Sequence, residues 1–201
     1  DSPEPTEPSM VQAQDSDTGT EEAGEGTDTP EGGSLSEGPE TALQTVSSLE
    51  ELLQAIEQAE AGATIGIGCE IVCPDGTVLG DTYKRVTLQR TAPEGHISTY
   101  SPDGTGNVIL QAIDFDGGNV EATTPFVQAS ISTAYSECHF SDCTAGAVEA
   151  DNGNQNFGYC VFERNTAQYG AHIRMNGGSA NLFNCVLGRG TATIRGGAIA
   201  C

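Results

Sequence analysis

Hydrophobic residues in the last third of the chain recur in one short alternating pattern. The pattern is found in Tyr135–Phe140, Phe157–Phe162 and Leu182–Leu187, each with a cysteine fourth and a large apolar residue sixth. An earlier copy, Leu110–Phe115, has Ile113 in place of the cysteine, so successive copies begin 25, 22 and 25 residues apart. Alternation with period two is typical of a strand with one buried face. A unit this short cannot bury that face alone, which predicts that the copies stack as coils of a solenoid.

The connectors between these strands are rich in glycine and asparagine, as at 116–119, 151–154 and 176–179. Glycine supplies the positive-φ positions that tight corners require. A Thr-Ala pair follows each of the last three copies and forms a further column. Because no helical period occurs within the repeat, the pattern predicts a parallel β-helix. Earlier strands are predicted in the segments 63–67 (the first coil), 86–89, 107–111 and 126–129.

One helix is predicted before the coils, within residues 47–61. Ser48 and Glu51 form a capping box, and glycine at position 62 ends the helix. Its apolar stripe consists of Leu49, Leu52, Leu53, Ile56 and Ala59. A solenoid exposes a hydrophobic end, and an amphipathic helix can cover it. We therefore interpret this helix as the N-terminal cap of coils that occupy residues 62–201.

Residues 1–46 differ in composition from the rest of the chain. They contain 12 Asp or Glu residues and no Lys, Arg, His or Cys, and they are rich in Pro, Ser, Thr and Gly. Such a segment buries too little apolar surface to offset its ordering entropy, which predicts a disordered acidic tail or spacer. Residues 47–201, the predicted folded part, contain the remaining 17 acidic residues and all 7 basic ones, so their net charge is about −10. This negative charge argues against nucleic acid and anionic membranes as partners.

The sequence contains no apolar run long enough to span a bilayer and no signal-peptide core, so no direct membrane insertion is expected. An acidic Pro/Thr/Ser-rich segment at the N-terminus is typical of a spacer behind an export signal, and we expect a secreted or cell-surface protein. The sequence stops at Cys201, just as a strand begins at 196–201, with no polar cap. We expect either a fragment of a longer solenoid or a last coil covered by something else.

The seven cysteines are an odd number, and their spacing favours stacking over disulfides. Cys138, Cys160 and Cys185 fall in one column and are predicted to form an inward ladder of free thiols. Cys143 aligns with Asn165 and is predicted to belong to a ladder at a turn. A further pair, four residues apart at 69 and 73, is expected on one face of a strand, and a zinc site there lacks further ligands.

Two short motifs, Phe162–Asn165 and Gly196–Ile199, accompany the helix and the coils. Together they resemble exported right-handed parallel β-helix proteins of the pectate-lyase-like fold, over roughly residues 47–201. More narrowly, Phe-x-x-Asn and Gly-Gly-Ala-Ile are similar to chlamydial polymorphic outer-membrane protein repeats and to adhesin-like proteins of gut bacteria. Diverged copies are aligned at Ala145–Val148 and Tyr169–His172. The resemblance implies a right-handed, single-stranded parallel β-helix, a fold that hosts both lyases and inert surface stalks.

Outward strand positions offer the catalytic candidates. Asp116 and Glu163 lie two strands apart in one column, ~9 to 10 Å at the usual strand spacing, near the upper end for an inverting glycosidase pair. His139 and Asp114 are expected to be neighbours on the same sheet, either as a functional pair or as an ordinary surface pair. No Ser-His-Asp spacing, phosphate loop or cofactor fingerprint occurs, so no catalytic, cofactor-binding or metal site is assigned.

Binding candidates are fewer. Glu149 and Asp151 form a loose cluster that could hold Ca²⁺, the one possible cofactor. Arg164, Arg174 and Arg189 could hold an acidic sugar, or could pair with local carboxylates. Tyr159 is assigned to an outward column and Tyr169 to a coil corner, and tryptophan is absent. His172 is placed in the column of Ile199, partly buried, and His96 is placed in a loop within 91–106.

These observations leave three functional hypotheses. The first is a non-catalytic extracellular or cell-surface module of a bacterial adhesin-like protein, which binds a host or cell-surface glycan or protein through an outer sheet or the loop 91–106. The second is a polysaccharide lyase or glycoside hydrolase with part of its site in coils beyond Cys201. The third is a stalk without a ligand.

Overall fold

The computed structural model describes residues 43–201. The helix α1 spans Leu49–Gln58. In chain order the strands are β1 (Gln44–Val46), β2 (Thr64–Ile67), β3 (Glu70–Pro74), β4 (Val78–Leu79), β5 (Val86–Arg90), β6 (His96–Tyr100), β7 (Asn107–Gln111), β8 (Ile113–Asp116), β9 (Val127–Ala129), β10 (Ser132–Ser136), β11 (His139–Ser141), β12 (Val148–Ala150), β13 (Asn154–Gly158), β14 (Val161–Glu163), β15 (Thr166–Tyr169), β16 (Ile173–Met175), β17 (Ser179–Phe183), β18 (Val186–Gly188), β19 (Thr191–Arg195) and β20 (Ile199–Ala200). Of the tail predicted at 1–46, residues 1–42 lie outside the described residues.

Three parallel sheets run along the solenoid. Sheet A contains β1, β2, β5, β8, β11, β14 and β18, sheet B contains β3, β6, β9, β12, β16 and β20, and sheet C contains β4, β7, β10, β13 and β17. Strands β15 and β19 pair separately, between sheets A and B along the chain. Each coil adds one strand to sheet A, so its seven strands correspond to about six turns. The prediction of an all-β parallel β-helix is confirmed.

The repeat columns predicted from the sequence are the columns of the sheets. In sheet A, Phe140 pairs with Phe115 on one side and with Phe162 on the other, which also sets the cysteine column one coil apart. The Thr-Ala column is present where β15 pairs with β19, since Thr166 aligns with Thr191. In a strand whose side chains alternate between buried and exposed, a shift of one residue against its neighbour would turn the apolar side chains outward. The buried face therefore fixes the register between neighbouring strands.

Two ladders of aromatic rings fill the core between the sheets. Phe115, Phe140 and Phe162 stack face to face, with centroids 4.6 and 4.8 Å apart and planes within 7° of parallel. On the neighbouring wall Tyr135 stacks on Phe157 at 4.4 Å, and both meet the first ladder edge-on. Rings at successive strand spacings lie at the separation that offset stacking favours, so each coil supports the next.

The first coil begins earlier than the sequence indicated. Strand β1 pairs in register with β2, with Val46 opposite Ile67, so residues 44–46 of the predicted tail belong to the coils. The prediction that 63–67 forms the first coil was therefore wrong, because β1 precedes it. The strongly acidic composition of the preceding segment obscured a strand of only three residues.

The capping helix is confirmed, with adjustments. Glu51 N–H donates to the Ser48 side chain at 3.2 Å, while the Glu51 carboxylate accepts from the backbone and the hydroxyl of Ser47 instead of completing the box at Ser48. Leu53, predicted in the apolar stripe, is 41% exposed, and Ala55 is buried in its place. The helix ends at Gln58 with Ala59 as its C-cap, before the predicted glycine.

The cap is tied to the coils at its C-terminal end. Lys84 Nζ donates to the carbonyl oxygens of Ile56 and Glu57 at 2.6 and 2.9 Å. An ammonium group there satisfies carbonyls that have no helical partner and complements the helix dipole. The helix, the only one among residues 43–201, is not long and apolar enough to cross a membrane.

Residues at the coil corners adopt left-handed backbone conformations. The glycines predicted for this role do so at Gly118, Gly153 and Gly178. Non-glycine residues adopt the same conformation at both ends of the sheet A strands, with φ between 51 and 56°. They are Ala112, Glu137, Tyr159 and Asn184 before the strands, and Asp142, Arg164 and Arg189 after them. An L-residue in this region costs roughly 1–2 kcal/mol. The stack imposes the corner, whatever residue occupies it.

An asparagine stabilises one of these corners. Asn165 is fully buried, and its side-chain oxygen accepts from Cys143 N–H while its Nδ2 donates to Phe140 O, both at 3.0 Å. The amide thus hydrogen-bonds two backbone groups of the preceding coil, one on each side of its turn. The alignment of Cys143 with Asn165 is confirmed, and the Phe162–Asn165 motif acquires a structural explanation.

The cysteine ladder is confirmed. All seven thiols are free; Cys138 and Cys160 are buried, and Cys185 is half-buried. Each lies within 3.5 Å of a carbonyl oxygen of the preceding coil. In the other predicted pair, Cys73 is buried and Cys69 is half-buried just before β3. Burial raises the pKa of the Cys73 thiol to about 12.

Two histidines differ from their predicted positions. Ile173, not His172, aligns with Ile199, so the Gly-Ala copy of that coil is displaced by one residue from the predicted Tyr169–His172 alignment. His172 is consequently fully buried, with Nδ1 3.0 Å from Asn165 Nδ2. His96 begins strand β6 and is buried, so the prediction of a loop over 91–106 was wrong there. The Pro and Gly residues preceding it had suggested a longer loop.

Candidate functional site

The outer face of sheet A carries a row of ionic side chains. Arg85 pairs with Asp114, and Arg164 pairs with both Asp142 and Glu163. His139 Nε2 lies 3.3 Å from Glu163 Oε1, close enough for an ion pair but without a hydrogen bond to it. We call these six residues the sheet A ionic row. The carboxylates in it already face cationic partners of the same chain.

Asp116 and Glu163 occupy one column, as predicted. Ser141 lies between them in the sheet, so the two carboxylates belong to strands two spacings apart, ~9 to 10 Å. Asp116 accepts hydrogen bonds from Gln89 Nε2 at 2.9 Å and from its own turn at Gly118 N–H at 2.8 Å.

The Arg164 guanidinium sets the protonation of two carboxyl groups on this face. Its hydrogen bonds lower the pKa of Glu163 and of Asp142 below their usual values. A general acid of a glycosidase needs the opposite shift, since it must carry a proton near neutral pH. The row is thus a network of partly exposed ion pairs, which contribute little stability individually.

The expected neighbours His139 and Asp114 do align across β8 and β11. Their side chains nevertheless have other ionic partners, because Asp114 pairs with Arg85 and His139 faces Glu163. The Arg85 guanidinium also donates to the Glu137 carbonyl at 2.7 Å, which ties it to the next corner. Sequence reasoning missed Arg85 because it precedes its strand by one residue.

A groove of about 500 Å³ lies along the corner between sheets A and B. We call it the corner groove; it is lined by parts of 122–125, 144–149 and 166–170 together with Arg174 and Thr193. These segments come from four successive coils, and the pair β15–β19 forms part of the lining. Its volume falls within the ~300–1,000 Å³ typical of small-molecule sites.

One wall of the groove is held by a buried arginine. Arg90 is only 2% exposed, and its guanidinium donates to Gly95 O, Thr124 O and Pro125 O at 2.6, 3.1 and 2.8 Å. It also lies over the Phe126 ring, 5.1 Å from the centroid. Burial lowers its pKa, and three carbonyl acceptors compensate for the missing carboxylate.

A threonine fixes the other part of this wall. Thr144 Oγ1 donates to Val120 O at 2.6 Å and accepts from Ala122 N–H at 3.1 Å. Arg90 belongs to the preceding coil and Thr144 to the following one, so the segment 120–125 is clamped to both neighbouring coils. The wall is therefore part of the rigid solenoid and not a free loop.

The opposite wall presents three candidate binding side chains, Arg174, Glu149 and Tyr169. Arg174 and Glu149 pair across β12 and β16 with 3.5 Å between NH1 and Oε1. The Arg174 guanidinium also lies 5.2 Å from the centroid of the Tyr169 ring. The pairing of Arg174 with Glu149 corresponds to local pairing, one of the two alternatives given for the arginines. Tyr169, predicted at a coil corner, is the last residue of strand β15.

The predicted acidic cluster adjoins this wall. Asn176 Nδ2 donates to Glu149 Oε1 at 2.7 Å and to Asp151 Oδ1 at 2.8 Å, so an amide group lies between the carboxylates. Among residues 43–201 no three His, Cys, Asp or Glu side chains are arranged to hold a metal ion. Calcium binding at this position remains a prediction.

Sequence reasoning singled out Tyr169, Arg174 and Glu149 separately, yet it did not bring them together. The sequence points to Arg174 as a ligand for an acidic sugar and to Glu149 as a ligand for Ca²⁺, and it gives only a weak signal for Arg90. That weak signal is the position of Arg90 in β5, where the alternation of buried residues places its charged side chain on the inward face. Comparison of the chain with protein-family models, with curated proteins and with solved structures found no match.

Proposed function

We propose that this chain is a non-catalytic binding module of a secreted or cell-surface bacterial protein, adhesin-like in type, which engages a glycan or protein through the corner groove. The observation that carries the proposal is the groove itself, a preformed concavity with a clamped wall and a charged pair beside an aromatic ring. Rigid concave sites with a few placed polar groups are the usual form of binding sites.

The proposed location outside the cell rests on the sequence. The acidic Pro/Thr/Ser-rich segment 1–46 suits a spacer, and the motifs Phe162–Asn165 and Gly196–Ile199 resemble those of exported β-helix proteins. On this resemblance we propose that the chain is related to the pectate-lyase-like, adhesin-like β-helices. Protease treatment of intact producing cells tests this location: an exposed chain is degraded, whereas a chain inside the cell is protected until lysis.

A polysaccharide lyase or glycoside hydrolase is the competing function. The lowered pKa of Glu163 and its ion pair with Arg164 argue against it as an acid catalyst. Incubation of the chain with acidic polysaccharides, with and without Ca²⁺, distinguishes the two functions. Depolymerisation that disappears in Glu163→Gln would favour the enzyme.

The binding proposal is tested with a matched pair of double variants of the full chain. Glu149→Gln with Arg174→Gln removes both groove charges, and Glu137→Gln with Arg189→Gln makes the same charge changes outside the groove. Binding of each labelled protein is measured on intact cells, immobilised glycans and matrix proteins. We expect the groove variant alone to lose about tenfold or more in affinity, equivalent to roughly 1.4 kcal/mol. Equal binding by all three proteins would contradict the proposal.

A further inference from the structure

The charges of the corner groove balance. Glu149 and Arg174 are the charged residues among those that line it, and they lie 3.5 Å apart. The chain as a whole carries a formal charge of −22. An anionic ligand would meet Glu149 and the negative field of the protein, while a cationic ligand would meet Arg174. The groove therefore favours a ligand without net charge.

The remaining polar groups of the groove are uncharged. Thr123, Gln168 and Thr193 are exposed, and their side chains make no hydrogen bond within the described part of the chain. Hydroxyl and amide groups both donate and accept. Next to them, Arg174 offers donors and Glu149 offers acceptors within a few ångströms. Adjacent donors and acceptors complement vicinal hydroxyl groups, which themselves do both.

Small residues form the base of the groove. Ala145, Gly146 and Ala167 line it without bulk, and Tyr169 adds a half-buried ring beside them. The C–H face of a pyranose ring packs on such apolar surface while its hydroxyls reach the rims. Since the Tyr169 ring and the Glu149 carboxylate both contact Arg174, its guanidinium is oriented before a ligand arrives.

The shape of the groove indicates an extended ligand. Its lining comes from four successive coils, three strand spacings, so it runs ~14 Å along the solenoid axis. The Arg90 and Thr144 clamps fix the segment 120–125 at one end of this length. A chain of several rings fits such a trough better than a single compact molecule.

We infer that the corner groove binds a short stretch of a neutral polysaccharide, with Arg174 and Glu149 bracketing adjacent hydroxyl groups and Thr123, Gln168 and Thr193 contacting the rims of the rings. This assignment rests on the proposed function and specifies the ligand of the same site. Because both partners of the pair contact the ligand as hydrogen-bonding groups, the binding is expected to depend little on ionic strength.

Isothermal titration of the full chain tests the assignment with trisaccharides. The panel consists of cellotriose, maltotriose and mannotriose as neutral probes, trigalacturonate as the acidic probe and the trimer of glucosamine as the cationic probe. We expect at least one neutral trisaccharide to bind more tightly than both charged ones, and its affinity to change less than about twofold between low and high salt.

Single variants locate the site. Arg174→Gln and Glu149→Gln are each expected to weaken the neutral probe about tenfold, as loss of a charge-assisted hydrogen bond implies. Arg189→Gln and Glu137→Gln change the same charges elsewhere and should leave the affinity within about twofold. Circular dichroism of each variant establishes that the fold is retained.

Several results would overturn the inference. Tightest binding of trigalacturonate, weakened by salt, would assign the groove to acidic chains, and a neutral probe unaffected by both groove variants would place the site elsewhere. If no trisaccharide binds while the groove double variant still reduces binding to cells, the ligand is not a saccharide and the proposed function survives. Absence of binding to every saccharide and every surface removes the inference together with the proposed function.

Discussion

Truncation of Phe140 measures how much the aromatic ladder stabilises the solenoid. Its ring is fully buried and lies between Phe115 and Phe162, at centroid distances of 4.6 and 4.8 Å, with Tyr135 edge-on at 5.9 Å. Phe140→Ala removes the middle ring, so two face-to-face contacts and one edge contact disappear together and a cavity opens between coils.

The magnitude follows from these contacts. Truncation of a buried phenylalanine to alanine costs about 3–5 kcal/mol, and aromatic pairs add about 0.5–1.5 kcal/mol each beyond burial. The three lost pairs add about 1.5–4.5 kcal/mol to the truncation cost, so we expect Phe140→Ala to lower the free energy of unfolding by about 5 kcal/mol or more. Phe140→Leu retains most of the apolar volume and should cost about 1–2 kcal/mol.

Urea denaturation followed by circular dichroism is the assay, and Phe183→Ala is the control. Phe183 is 62% exposed and has one edge contact with Tyr159, so its truncation should cost less than about 1 kcal/mol. The transition midpoints are compared at equal slopes. A loss for Phe140→Ala no larger than that for Phe183→Ala would refute the ladder as a main source of stability.

Four further predictions concern corners, buried groups and thiols. Glu137→Gly, at a left-handed corner, should raise the unfolding free energy by up to about 1 kcal/mol, whereas Ser136→Gly in β10 should lower it. Burial lowers the pKa of His172, so on acidification the unfolded chain takes up this proton at a higher pH than the folded chain does. The free energy of unfolding should therefore fall as the pH drops below about 6.5, the pKa of an unperturbed histidine. Denaturation curves of His172→Asn should lack this part of the pH dependence. Arg90→Met leaves three carbonyls without donors and should cost about 3 kcal/mol, with faster amide hydrogen exchange in 120–126 than in 154–158; equal exchange would contradict the clamp. Burial raises the pKa of Cys143 to about 12, so a thiol reagent near neutral pH should label exposed Cys201 well before Cys143, as read by mass spectrometry.

Much of the coil structure could be predicted because one alternating pattern repeats with little change. The Cys138 and Phe140 columns carry both the strand period and the coil length, and buried strands fix their own register. The pattern failed where the spacing between aligned residues changed: it is 22 residues from Phe140 to Phe162 but 25 from Val148 to Ile173, and this change disguised the one-residue displacement at His172. It also failed for β1, whose three residues are too few to show a period.

The groove could not be predicted in the same way. Its walls come from segments far apart in the sequence, such as 122–125 and Arg174, and stacking of coils alone brings them together. Local signals point to individual residues, and a lone arginine or tyrosine in a corner has many explanations. The buried position of Arg90 was visible as a charge at an inward strand position, but its carbonyl partners lie in a connector with no regular pattern.

Chemical-shift mapping tests the central claim most directly, namely that the corner groove is where this β-helix binds its ligand. The ¹⁵N-labelled full chain is titrated with the neutral trisaccharides in turn. Our account predicts that the perturbed amides cluster at 122–125, 166–170, Arg174 and Thr193, which only the stacked coils bring together. Perturbations confined to sheet C or to the ionic row of sheet A, or none with any of these probes, would contradict it.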